Sequence, residues 1–237
     1  MIMSLFNQLM ATGQSVRLVN AYRGIPIVSD ASISLVGQGC VAVETNELQA
    51  VSMFLEGKTL LRCQPLTGSE TAPSDFRATV VGVDIVARRT TLSEFASVEN
   101  EMERRLAIRV QPEELVDVEV NFEEHRTVGK LADISVSGLG VFSFDAYIYS
   151  DLVPKRNLDV TISFALPPSK QKIQFLGKVV HIAHRGDPRL RRVGLKIAPD
   201  PAVEPLLRKY VAQRQEELLR ELKFIYDSML ALRKVGE

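Results

Sequence analysis

Short runs of alternating apolar and polar residues recur along much of the chain, and they predict β-strands. In the C-terminal half, the runs beginning at Leu115, Leu158 and Arg191 place a hydrophobic residue at every second position. This period is typical of strands that turn one face toward a core. Gly, Pro, Asn and Ser separate the runs, as in tight turns between antiparallel strands. About six such runs in this half predict a closed or nearly closed antiparallel barrel.

The N-terminal half shows the same short, punctuated runs from residue 15 to residue 94, and they predict further β-strands. Two helices interrupt this pattern. Residues 1–12 are predicted to form an amphipathic helix by their spacing, and residues 47–57 are interpreted as a short helix because their apolar residues fit neither period cleanly. The polar, turn-rich residues 65–75 are predicted to form a surface loop.

After Pro199 and Pro201 the period changes to that of a helix, predicted at about residues 202–234. Residues three or four apart form a stripe on it. Two interpretations fit: the helix packs on the domains of its own chain, or it forms a homodimer in which Arg214 sets the register. The stripe consists of Leu207, Val211, Arg214, Leu218, Leu222, Ile225, Met229 and Leu232.

The chain is therefore predicted to be mainly β, with an antiparallel barrel in its C-terminal half, strands in its N-terminal half and a long C-terminal α-helix. We place the first domain at residues 1–98 and the second at residues 99–237, which includes the helix. The polar, mildly acidic residues 93–104 form the junction. The chain length suits two modest domains.

Charge and composition narrow the functional classes. Lys and Arg together number 29, as do Asp and Glu, so the formal net charge is zero and the basic surplus of a nucleic-acid-binding protein is missing. Cys40 and Cys63 lie in apolar, strand-like stretches and are expected to be buried, reduced thiols. No metal-ligand spacing, signal peptide or membrane-spanning run is present, which predicts a cytoplasmic protein without membrane insertion.

Two segments carry the candidate chemistry, ERRLAIRV at residues 103–110 and DISVSGLGV at residues 133–141. Both alternate as strands do, with Leu106, Ile108 and Val110 on the apolar face of the first. Guanidinium groups grip phosphate or the edge of guanine with two bonds, and glycine lets a backbone approach a ligand closely. A carboxylate can accept from the ring nitrogen and amino group of guanine. The two segments thus suit an anionic guanine nucleotide.

RRLAIR followed by DISVSG resembles the paired signatures of the PilZ family, whose domains are receptors for cyclic di-GMP. The stretch from about 99 to 200 looks like a PilZ β-barrel, and the preceding hundred residues look like the split-barrel-like N-terminal domain of flagellar-brake proteins. The resemblance thus implies a mainly β fold class with two antiparallel β-barrel domains and a long C-terminal α-helix. The resemblance implies a cyclic di-GMP site and no catalytic or metal site. Its ligand-binding residues would be Arg104, Arg105, Arg109, Asp133, Ser135 and Gly138.

The resemblance also implies how such a receptor works. Arg104, directly before the Arg-x-x-x-Arg motif, is similar to the arginine of family members that hold two stacked cyclic di-GMP molecules per subunit. Binding is expected to rearrange the two barrels and to regulate motility or surface behaviour, including biofilm formation, through a protein partner such as the flagellar motor. The alternative is a PilZ scaffold that binds no nucleotide and acts as an interaction protein.

The basic cluster in HRGDPRLRR, residues 184–192, has two interpretations. It is either a solvated hairpin tip or an auxiliary surface for an anion or a partner. The cluster contains Arg185, Arg189, Arg191 and Arg192.

Overall fold

The computed structural model describes residues 2–63, 74–98, 108–143, 158–167, 169–185 and 187–234. Its strands form two closed antiparallel barrels of six strands each, which confirms the predicted fold class. Most of the predicted loop at 65–75 lies outside the described residues, although Ser74 and Asp75 begin a strand. Residues 99–107, including Arg104 and Arg105, also lie outside them.

The first barrel has the strand order β1-β2-β3-β6-β5-β4. Helix α1 places Phe6 and Leu9 in its core, as the amphipathic pattern predicted. Helix α2 begins after Asn46, whose side chain accepts from the backbone N–H of Gln49, and ends at Gly57 in the left-handed conformation. The elements are α1 (Ile2–Thr12), β1 (Val16–Tyr22), β2 (Ile25–Gly37), β3 (Cys40–Glu44), α2 (Glu47–Glu56), β4 (Lys58–Cys63), β5 (Ser74–Asp84) and β6 (Arg89–Ser97).

The second barrel has the strand order β10-β11-β12-β9-β8-β7. The alternating residues of the predicted runs face its interior: Val118, Ile162 and Leu195 are each almost fully buried. The elements are β7 (Asp117–Phe122), β8 (His125–Ile134), β9 (Gly138–Ser143), β10 (Asp159–Leu166), β11 (Gln171–Arg185), β12 (Asp187–Ala198) and helix α3 (Glu204–Lys234).

The contacts divide the chain into two compact units, Met1–Ala107 with Glu217–Glu237, and Ile108–Glu216. Each unit contains one barrel, and helix α3 contributes to both. In the second unit, Arg214 donates from Nε to the carbonyl oxygen of Gln111 at 3.0 Å. The predicted domain boundary after residue 98 falls next to residues outside the described part and stays a prediction.

The part of helix α3 that belongs to the first unit, from Glu217 on, packs on the first barrel. The carboxylate of Glu221 accepts from the Tyr22 hydroxyl at 2.8 Å, and Lys223 pairs with Glu47 at 2.7 Å. The apolar stripe is buried at Leu218 and Leu222 but not at Leu232, which is 76% exposed. The central part of the stripe is thus covered by the chain itself, in agreement with the first interpretation of the helix.

The two cysteines differ in their environment. Cys63 is buried, and desolvation, with a smaller contribution from Asp75, raises the pKa of its thiol to about 12. Cys40 is half-buried, so the expectation of two buried thiols is wrong for this residue. It begins β3 directly after the turn at Gln38 and Gly39, where the barrel wall meets solvent.

No described helix combines the length and the apolar character needed to span a lipid bilayer.

Replacing Leu218 by Ala should lower the free energy of unfolding by about 2–5 kcal/mol, because it leaves a cavity at a fully buried site. Leu232→Ala on the same helix is the matched control and should change it by less than about 0.5 kcal/mol. Chemical denaturation measures both, and light scattering should give the same mass for both variants and the parent. A fall in mass with Leu218→Ala would instead show that the stripe joins two copies.

Titration of the folded chain with a thiol reagent at pH 8 should modify Cys40 readily and Cys63 only after denaturation. The physical reason is that Cys63 is both buried and held as the unreactive thiol by its raised pKa. Mass spectrometry of the labelled peptides identifies the modified residue. Equal rates at the two residues would contradict the assigned burial.

Candidate functional site

A β-bulge in β8 directs Asp133 to the outside of the second barrel. Leu131 pairs with Val141 and Asp133 with Gly140, so Ala132 is an extra residue between the two pairs. Unbroken alternation from Leu131 would have turned the carboxylate into the core. The extra residue reverses the alternation, a common way for a bulge to re-aim a side chain. As a result, Ile134 fills the core and Asp133 lies on the outer face.

The arginine segment joins this strand end through one antiparallel bridge. The backbone groups of Val110 and Ile134 exchange two hydrogen bonds of 2.9 Å, and both side chains are fully buried. Arg109, one residue earlier, therefore stands on the outer face. Its Nη1 donates to Oδ1 of Asp133 at 3.2 Å. The predicted inward position of Ile108 is wrong, since that side chain is 40% exposed and precedes the bridge.

The sequence Ser135-Val136-Ser137 forms a turn, where continued strand alternation was expected. Ser135 closes the turn with two hydrogen bonds to the carbonyl oxygen of Gly138, one from its N–H at 2.7 Å and one from its hydroxyl at 2.9 Å. A Cβ on Gly138 would lie 2.9 Å from the carbonyl oxygen of Leu195 in β12. Glycine is needed here because two backbones meet.

Arg192 reaches the same carboxylate from β12, on the other side of β9. Its Nη2 donates to Oδ2 of Asp133. The strand between them carries Gly140 at the crossing point, and a Cβ there would lie 2.9 Å from Oδ2 and 3.1 Å from the Arg192 Nε. The absence of a side chain on Gly140 lets an arginine and an aspartate two strands apart meet over β9.

Asp133 is thus a nearly buried carboxylate shared by two guanidinium groups. Its side chain is 7% exposed, whereas Arg109 is 43% and Arg192 is 28% exposed. One negative and two positive charges leave a local surplus of one positive charge. Both guanidinium groups keep an exposed part, and each has five N–H donors. The cluster can therefore attract an anion from solvent while retaining its internal pairs.

Four of the six predicted site residues meet in this cluster: Arg109, Asp133, Ser135 and Gly138. The Ser135 hydroxyl donates within the turn, and its contact with the ligand stays a prediction. Arg104 and Arg105 lie outside the described residues, so their roles stay predictions.

Two residues of the cluster were missed as site residues, Arg192 and Gly140. Arg192 belonged to the basic cluster that was interpreted as a hairpin tip or an auxiliary surface. It lies instead within β12, paired with Phe142 of β9. The signal for Gly140 was the repeated glycine in Ser-Gly-Leu-Gly, but only the register of β8, β9 and β12 shows which side chains cross it.

No group of three or more His, Cys, Asp or Glu side chains within the described ranges is arranged to hold a metal ion.

The PilZ domain model matches residues 103–213. An uncharacterized protein of Aquifex aeolicus (strain VF5) is 33% identical over 127 residues, which cover 53% of this chain and 56% of that protein, so the match spans little more than half of its length.

Two similar solved structures have low sequence identity to the chain. Bacillus subtilis MotI/DgrA, an inhibitor of motility, is 13% identical with a TM-score of 0.43, covering 86% of this chain and 97% of that one. Escherichia coli YcgR in complex with c-di-GMP is 10% identical with a TM-score of 0.44, covering 94% of this chain and 93% of that one. The matched residues 103–213 contain the whole second barrel and the Arg109–Asp133 cluster, so this part of the chain is similar to a PilZ domain.

Proposed function

We propose that the chain is a non-enzymatic receptor for cyclic di-GMP, which its PilZ domain binds at Arg109, Asp133 and the turn from Ser135 to Gly138. The observation that carries this proposal is the Asp133 carboxylate, held on the outer face of the barrel between two arginines. Arg104 and Arg105 complete the proposed site on the strength of the motif.

The ligand offers the groups that this cluster lacks. Its phosphates carry the negative charge that offsets the surplus cation, and guanidinium–phosphate pairs form two parallel hydrogen bonds. Its guanine offers a ring N–H and an amino group, which a carboxylate can accept. Binding would exchange the 3.2 Å contact of Arg109 with Asp133 for a phosphate contact on the arginine and a guanine contact on the carboxylate.

The same contact favours the second candidate, a PilZ scaffold that binds no nucleotide. Asp133 already neutralises part of the charge on Arg109 and Arg192, so the barrel does not need a ligand to satisfy its buried carboxylate. Against this candidate, the Arg109 side chain is 43% exposed, and its 3.2 Å contact with Asp133 is at the long end of the hydrogen-bond range. A dinucleotide with two phosphates can compete for such a contact.

The proposed output is a change in the arrangement of the two barrels that a protein partner reads, with the flagellar motor as the proposed partner. A ligand shifts such an equilibrium only by its difference in affinity for the two arrangements. A nearly complete switch needs a preference of about 10⁴, or ~5.5 kcal/mol. Several charge-assisted hydrogen bonds formed in one arrangement alone would supply it.

Arg109→Ala should weaken cyclic di-GMP binding at least about thirtyfold, or ~2 kcal/mol, because a charge-assisted bidentate contact is lost. Arg126→Ala is the matched control, since Arg126 is an exposed arginine of the same barrel paired with Glu119. Calorimetric titration measures both affinities. If Arg109→Ala binds as tightly as the parent, the site is misplaced; if the parent does not bind, the scaffold function is favoured.

The parent should bind two cyclic di-GMP molecules per chain, since the arginine at position 104 offers a cation on which a second purine can stack. Arg104→Leu should move the stoichiometry toward one while leaving the first binding event in place. The same calorimetric experiment gives the number directly. Saturation of the parent at one ligand would overturn the two-ligand proposal without affecting the site itself.

A further inference from the structure

We infer that Arg192 is a positioning residue that fixes the Asp133 carboxylate for guanine and thereby sets the base selectivity of the site. The inference rests on the proposed function, since it concerns the same ligand. The motif residues that define the candidate site do not include Arg192, which comes from β12 near the end of the PilZ segment.

Arg192 holds one oxygen of the Asp133 carboxylate, and Arg109 holds the other. The guanidinium lies against Gly140, and its Nη2 donates to Oδ2, while Arg109 donates to Oδ1. Each carboxylate oxygen therefore has its own arginine. Arg109 lies 24 residues before Asp133 in the sequence, and Arg192 lies 59 residues after it.

The two arginines differ in how firmly they are held. Arg192 lies within β12, which pairs with β11 on one side and β9 on the other, and its side chain is 28% exposed. Arg109 precedes an isolated bridge and is 43% exposed. A ligand that competes for these contacts will therefore displace Arg109 first and leave Arg192 in place.

Displacement of Arg109 leaves Asp133 with one free oxygen and one oxygen still bound to Arg192. Oδ1 then accepts from one guanine donor and the second lone pair of Oδ2 accepts from the other, while the contact with Arg192 stops the carboxylate from rotating. A carboxylate held in one orientation distinguishes guanine, which has a ring N–H and an amino group, from hypoxanthine, which has only the ring N–H. Sites built to satisfy a particular donor reject analogues that lack it, because a polar group is left unpaired.

The experiment compares the affinities for cyclic di-GMP and cyclic di-inosine monophosphate by calorimetry. The parent should prefer cyclic di-GMP by about tenfold or more, the value of one hydrogen bond to a charged group. Arg192→Gln should reduce this preference to about threefold or less, because an unanchored carboxylate gives up most of that one bond. Arg126→Gln, the control in the same barrel, should keep the preference of the parent.

A second variant separates positioning from loss of charge or of folding. Gly140→Ala keeps both arginines but places a methyl group 2.9 Å from Oδ2, so it should also reduce the preference for cyclic di-GMP. Thermal unfolding of each variant confirms that it is folded before titration.

Three outcomes overturn the inference. If the parent binds cyclic di-GMP with a clear preference and either variant keeps that preference, Arg192 does not position Asp133. If the parent binds both dinucleotides equally, Asp133 does not read the guanine amino group. If the parent binds neither, the inference falls together with the proposed function, which distinguishes that failure from the other two.

Discussion

The site depends on one constraint: a carboxylate must stay on the outer face of a barrel strand, nearly buried, with a cation at each oxygen. Three features of the chain combine to meet it. The bulge at Ala132 turns Asp133 outward, the bridge at Val110 brings Arg109 alongside, and Gly140 leaves the space through which Arg192 arrives. Removing one arginine would leave the carboxylate with a single partner, whereas removing Asp133 would leave two cations facing each other.

Two glycines follow the aspartate, and each leaves space for a different neighbour. Gly138 lies where β9 meets the backbone of β12, and Gly140 lies where two side chains cross β9. A Cβ at Gly138 would collide with a backbone carbonyl oxygen, and a Cβ at Gly140 would collide with a carboxylate. Glycine within a strand often marks such a close approach, since the approach requires the absence of a side chain.

Much of the fold could be predicted because its residues repeat with period two. The runs around Val118, Ile162 and Leu195 face the core as that pattern requires. Helix α3 was predicted from its three-to-four spacing, but spacing alone did not show whether Leu218 meets its own chain or another. Burial of that residue within the chain supplies the answer.

The candidate site was predictable only as far as local motifs reach. Arg109, Asp133 and Ser135 belong to two short segments, so the sequence could suggest that they meet. Arg192 is 59 residues from its partner, and its role depends on strand order and on a one-residue bulge. The strand order has no signature in the hydrophobic pattern, and a bulge breaks the alternation from which strands are recognised.

Calorimetric titration of the full chain with cyclic di-GMP, with GTP and cyclic GMP as controls, is the decisive test of the proposed receptor. We expect saturable binding of cyclic di-GMP, since two phosphates and two guanines match the arginine and carboxylate groups of the cluster, and much weaker binding of the mononucleotides. The absence of heat and of binding with cyclic di-GMP, or equal binding of all three nucleotides, would contradict it.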